Sequence, residues 1–106
     1  GEAEIERMRL EYERRRDYAV RAISAIPGLS CVVPNGAFYI FVNIRPLGMT
    51  SREAADYLLD TAHVATVPGS AFGANGEGYL RLSYACAYDR IVEAMARIEK
   101  ALAARG

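Results

Sequence analysis

From Ile5 onward apolar residues recur at intervals of three and four: Ile5, Met8, Tyr12, Ala19, Ala22, Ile23 and Ile26. That period predicts one long amphipathic helix over 2–26, interrupted on its apolar side by Arg15 and Arg16 and stopped by Pro27-Gly28. Glu11 and Arg15 stand four apart in the favourable order, so Arg14-Arg15-Arg16 reads as a solvated, salt-bridged face. Two β-rich segments follow, Cys31-Val32-Val33 and Ala37 to Ile44, separated by the turn Pro34-Asn35-Gly36; the second is the stronger strand. Ala54, Ala55, Leu58, Leu59 and Ala62 mark the apolar face of a second helix from Ser51 to about Thr61, with Thr50 or Ser51 able to cap its free N–H groups. Val64 to Val67 is a short strand, and Pro68 to Gly78, with four glycines in eleven residues, is a loop. Tyr79 to Tyr84 then alternates as a strand. Asp89 is the expected cap of a last helix reaching about Ala104, with Ile91, Val92, Met95, Ile98 and Leu102 as its stripe. The order α-β-α-β-β-α predicts an α/β (α+β) fold: a small mixed, largely antiparallel sheet of three to four strands with helices on one face.

Composition narrows this to one domain spanning 1–106. At 106 residues, 52% apolar and 25% charged, the chain has material for a single hydrophobic core. Thirteen basic residues against thirteen acidic leave no net field, which argues against nucleic acid or an acidic membrane surface as partner. No apolar run approaches the roughly 20 residues of a membrane span. Cys31 and Cys86 are far apart and have no metal-site spacing, so a reduced, cytoplasmic setting is expected. The start Gly1-Glu2-Ala3-Glu4 lacks an initiator Met and runs directly into helix, as in a fragment of a longer chain. Twelve of the thirteen basic residues are arginine. Lys100 is the only lysine, so chemistry that needs an internal lysine is not expected of this stretch alone.

The glycine loop 68–78 invites comparison with a phosphate cradle, because glycine lets backbone N–H groups approach an anion. Its spacing argues otherwise. No Gly-Lys-Ser/Thr is present, Arg81 stands where a dinucleotide fingerprint needs its third glycine, and a strand rather than a helix follows. A β–β connection with unusual backbone angles is the better reading. Arg81 is the sharper candidate. In the alternation of its strand, Tyr79, Arg81 and Ser83 face one side, and Leu80, Leu82 and Tyr84 face the core. A guanidinium there must reach the sheet edge, pair with an acid, or bind an anionic ligand such as a carboxylate, and the pattern leaves these open. His63, the only histidine, reads as a helix-end residue rather than a catalyst. Glu53, Asp56, Asp60 and Glu77 show no metal-ligand pattern, and Tyr12, Tyr18, Tyr57 and Tyr88 lie on helices as core or interface residues.

Three strings taken in order resemble one family: Pro34-Asn35-Gly36-Ala37-Phe38-Tyr39, Val64-Ala65-Thr66-Val67-Pro68-Gly69-Ser70-Ala71-Phe72-Gly73, and Gly76-Glu77-Gly78-Tyr79-Leu80-Arg81-Leu82-Ser83-Tyr84-Ala85. They are similar to the C-terminal small domain of fold-type I, class I/II (aspartate aminotransferase-like) enzymes, which depend on pyridoxal phosphate. Met8, Tyr12 and Arg15-Arg16-Asp17 also fit the distal part of that family's interdomain helix, which would be residues 1–26. The resemblance covers nearly the whole chain but singles out no substrate. It implies that Arg81 grips the carboxylate of the amino acid or 2-oxo acid substrate, and that Gly36 and Phe72 line a cleft that closes on it. It also implies that the catalytic lysine and the pyridoxal phosphate site lie in a large domain of the same chain, commonly in a homodimer. This stretch would then bind no cofactor and be inactive alone. His63 departs from the family's frequent glycine at the helix end and must either take a less comfortable cap conformation or end the helix differently. Two other readings stay open: a non-enzymatic αβ module for small carboxylates, and a structural fragment without ligand.

Overall fold

The structure is a computed structural model, and residues 1–34 and 37–105 are described. Helix α1 (Glu2–Ala25) leads into a hairpin of β1 (Ser30–Val32) and β2 (Tyr39–Asn43). Helix α2 (Ser51–Ala62), β3 (Val67–Pro68), β4 (Tyr79–Ser83) and α3 (Tyr88–Ala104) follow. The four strands form one sheet in the order β1-β2-β4-β3, and every pairing is antiparallel. The β-rich stretch before α2 is thus two strands, so the described order is α-β-β-α-β-β-α. Among the described residues no helix is long and apolar enough to cross a membrane.

The sheet is covered on one face. Ile40 and Val42 of β2 and Leu80 and Leu82 of β4 alternate inward, and pack with Ile23, Leu58, Ile91, Met95 and Ile98 from the three helices. Ile40 is wholly buried, so its truncation to alanine removes about 2–5 kcal/mol of stability. Tyr57 of α2 donates its hydroxyl proton to the Ala101 carbonyl of α3 at 2.6 Å, which ties the two helices together. The period of two also fixes the other face: Tyr39, Phe41 and Arg81 point away from the helices and are half-buried.

The ends of α2 follow the residue signals, whereas the start of α3 does not. Thr50 alone caps α2, through a reciprocal pair: Glu53 N–H donates to Thr50 Oγ1 at 3.1 Å, and Thr50 N–H donates to Glu53 Oε1 at 2.9 Å. At the other end His63 is left-handed, with φ 58° and ψ 36°, and is the only non-glycine residue at positive φ among those described. Of the two outcomes open to a histidine where glycine would fit, this is the less comfortable cap conformation. Asp89 does not cap α3. The helix begins two residues earlier than an Asp89 cap would set it, with Ala87 at the cap and no side-chain bond there, so Asp89 sits in the first turn and acts only through its charge on the helix dipole.

The stripe of α1 is real but only half used. Ala19, Ile23 and Ile26 are buried, whereas Ile5 is 68% exposed and Met8 57%. The amino-terminal half runs past the sheet, carried by surface ion pairs such as Arg9–Glu13 at 2.7 Å and Arg15–Glu11 at 3.2 Å. These pairs stabilise the helix by only a few tenths of a kcal/mol each, about as much as i,i+4 pairs on isolated helices.

Candidate functional site

Arg81 occupies the middle of the uncovered sheet face. In register it stands opposite Phe41 on β2 and Val67 on β3. Its Cζ lies 4.9 Å from the centroid of the Tyr39 ring and 4.8 Å from that of Phe72. Phe41 meets both rings edge-on, Tyr39 at 5.5 Å and Phe72 at 6.2 Å between centroids. A guanidinium over aromatic faces is held by their quadrupoles and keeps its N–H donors for another partner. Among the described residues, the ion pairs join Arg9, Arg14, Arg15, Arg16, Arg52 and Arg97 to acids, and Arg81 to none. The site is therefore a half-buried cation without an internal carboxylate partner, on a shelf of three rings.

Phe72 reaches this shelf from the glycine loop, which is built from two short 3-10 turns, Gly69–Phe72 and Ala74–Gly76. The turns touch backbone to backbone: a Cβ at Gly69 would fall 1.8 Å from the Gly76 carbonyl oxygen, and one at Gly76 would fall 2.1 Å from that of Gly69. Gly73 and Gly78 supply φ values of 107° and 93° that side chains disfavour. The loop is anchored to the amino end of α2. Ser51 N–H donates to Glu77 Oε2 at 2.9 Å, Gly78 N–H donates to the same oxygen at 2.5 Å, and Ser70 N–H donates to Ser51 Oγ at 3.3 Å. The Ser51 N–H bond, aided by that of Gly78 and by nearby Arg45, holds the Glu77 carboxyl below its ordinary range. A helix amino terminus does stand beside the glycine loop, although it comes from earlier in the chain. Its anion is the protein's own Glu77, which fits a structural connection better than a phosphate cradle.

The sequence candidates thus separate. Arg81 and Phe72 come together. Gly36 lies outside the described residues. His63 is a helix cap, and Lys100 is exposed on α3, which packs on the face of the sheet opposite Arg81. Tyr18 and Tyr88 pair edge-on at 5.3 Å, and Arg14 covers Tyr88 at 3.8 Å, so these tyrosines join helices. No group of three or more potential metal ligands occurs among the described residues. Sequence reasoning missed Tyr39 and Phe41. The period-two alternation put both on the outward face, but their neighbours depend on the pairing of β2 with β4. It missed the clasp by Glu77 too, for which no local signal exists, because the partner is 26 positions away.

The chain is thus an antiparallel αβ domain whose open face carries an arginine with no ion pair among the described residues. The chain belongs to the aminotransferase class I and II family, whose model matches residues 1–98. It is 47% identical over 98 residues to the aspartate aminotransferase of Pyrococcus horikoshii, covering 92% of this chain and 25% of that protein. The aromatic aminotransferase structure from Pyrococcus horikoshii superposes with a TM-score of 0.92 at 50% identity, over 97% of this chain and 27% of that one. The aspartate aminotransferase of Thermus thermophilus with maleate gives 0.83 at 38% identity, over 94% and 25%. The chain spans about a quarter of the length of the relatives it matches.

Proposed function

We propose that this chain is the small, C-terminal, cleft-closing domain of a pyridoxal-phosphate-dependent aminotransferase, and that Arg81 binds the carboxylate of the amino acid or 2-oxo acid substrate. The observation that carries the reading is the unpaired, ring-supported guanidinium on the uncovered face of the sheet. A planar fork held there has two parallel donors to offer, which suits a carboxylate bound in bidentate fashion. Family membership supports the reaction class, and the family implies pyridoxal phosphate.

The residues of this chain do not fit that cofactor. Its one lysine is exposed on α3, on the far side of the sheet from Arg81, and the amino end of α2 is occupied by Glu77. The cofactor and the lysine that anchors it therefore belong to a large domain outside these residues, in a parent that works as a homodimer. In this reading α1 is the distal part of the connecting helix. The role of the chain is to bind and orient substrate by Arg81, with Phe72 lining the cleft, while the bond-making groups lie elsewhere. The isolated chain is inactive.

Calorimetric titration of the chain with maleate, a dicarboxylate, tests this. Heat of binding that Arg81→Ala weakens by about tenfold or more is the expected result, from the loss of a charge-assisted bidentate contact. Equal binding by both proteins would reject the assignment. Added pyridoxal phosphate should give no stoichiometric, borohydride-reducible adduct at a single position, and its appearance would reject the separation of roles.

A further inference from the structure

We propose that Tyr39 and Phe72 are positioning residues for Arg81, and that Phe72 keeps its place because Glu77 and Ser51 clasp its loop to the amino end of α2. The inference deepens, and rests on, the assignment of Arg81 to a ligand carboxylate. A free arginine side chain samples many rotamers, and a ligand that needs one of them binds more weakly by the fraction of time spent elsewhere. A neighbouring acid could hold the guanidinium, but it would also occupy the fork and neutralise its charge. Rings do neither.

The two rings come from separate sources. Tyr39 is delivered by the sheet: it pairs with Ser83, one outward position from the Phe41–Arg81 pair, which sets it diagonally beside Arg81. Phe72 belongs to no strand, and the residue is 47% exposed. Its backbone is set by the Gly69–Gly76 approach and by two bonds at Ser51, whose N–H donates to the Glu77 carboxylate and whose Oγ accepts from Ser70 N–H. Ser51 is wholly buried at the first position of α2, so it offers the loop a fixed point in the core. Glu77 thereby acts on Arg81 through Phe72, without touching it.

The test uses the full 106-residue chain with nitrogen-labelled arginine, and maleate as the probe. In the wild type the Arg81 Nε–Hε resonance, assigned by its loss in Arg81→Ala, should be displaced by the ring currents and should move again when maleate is added. Phe72→Leu and Tyr39→Leu should each return the resonance toward that of an exposed arginine and weaken maleate by about three- to tenfold. Phe72→Tyr and Tyr39→Phe keep the rings and should restore both properties, a rescue that a merely structural role would not show. Glu77→Ala should resemble Phe72→Leu. If a leucine variant does not fold, the wild-type resonance decides: an Arg81 signal without ring-current displacement refutes the stack. Unchanged maleate affinity in Phe72→Leu and Glu77→Ala, with Arg81 still responding to maleate, overturns the positioning role alone. A wild-type Arg81 resonance indifferent to maleate overturns the carboxylate assignment, and the positioning role falls with it.

Discussion

Gly69→Ala probes the contact on which the loop depends. Gly69 has an ordinary φ, so its requirement for glycine is a matter of space: the added Cβ would meet the Gly76 carbonyl oxygen at 1.8 Å and the Tyr79 carbonyl oxygen at 2.6 Å. Ordinary contact begins near 3.4 Å, and the obstacles are backbone atoms, so one turn must retreat by about 1.5 Å. A retreat of that size breaks the Ser70 N–H bond to Ser51 Oγ and leaves a wholly buried hydroxyl with one partner fewer, at a cost of about 1–3 kcal/mol. Residual crowding adds about 1–2 kcal/mol. The sum, about 2–5 kcal/mol, is a large part of the roughly 5–15 kcal/mol that holds a domain together. Urea denaturation followed by circular dichroism should place the midpoint lower by about 1.5–3 M. Gly48→Ala is the control. Gly48 has φ 76° with nothing near its added Cβ, so only the left-handed penalty of about 1 kcal/mol applies. Gly76→Ala should match Gly69→Ala, and the double variant should fall well short of the sum, since the first methyl already opens the contact. A Gly69→Ala midpoint no lower than that of Gly48→Ala, or additive single effects, would refute the reasoning.

His63→Gly relieves the left-handed cap and should raise the melting temperature by about 3–6 °C, equivalent to about 0.5–1 kcal/mol after the chain-entropy cost of glycine. Ala87→Ser supplies the missing cap of α3 and should add about 1 kcal/mol in urea denaturation, whereas Asp89→Asn should cost only the smaller charge–dipole contribution. The Glu77 carboxyl is held below its ordinary value of 4.5 in the folded chain, so its stabilisation is present above that value and is lost as the pH falls through the folded one. Glu77→Gln should therefore flatten the acid limb of the stability curve below about pH 4.5, with the capping carboxylate Glu53 retaining the rest; an unchanged limb would rule out the clasp as a titrating element. Exposed Ile5 and Met8 should make the isolated chain self-associate, and Ile5→Glu with Met8→Glu should abolish this in sedimentation; a wild type that is monomeric at high concentration would contradict it.

What could be read from residues alone follows the range of the interaction concerned. Period two assigned Leu80, Leu82 and Tyr84 to the core and Arg81 to the opposite face, because the direction of a strand side chain is local geometry. The same rule put Tyr39 and Phe41 outward, but it says nothing of which strand lies beside β2. The aromatic shelf appears only once Phe41 is paired with Arg81. The clasp was invisible for the same reason, in stronger form. Glu77 in Gly76-Glu77-Gly78 looks like any loop acid until α2, 26 positions earlier, brings the Ser51 N–H to it. Asp89 shows the limit at short range: a good cap residue two positions late is not a cap, because Tyr88 already lies in the helix and the N-cap is Ala87. The stripe of α1 marks a different boundary. Ile5, Met8, Ala19 and Ile23 obey one period, yet only the last two are buried among the described residues. A periodic apolar face states that a helix has a side to bury, and its covering is a property of whatever surface stands opposite. The amino-terminal half of α1 is in this sense as well specified as the rest. Its pattern is complete, and under the proposed function the surface that would cover it is the large domain, which would also bring the groups that act on a substrate held by Arg81.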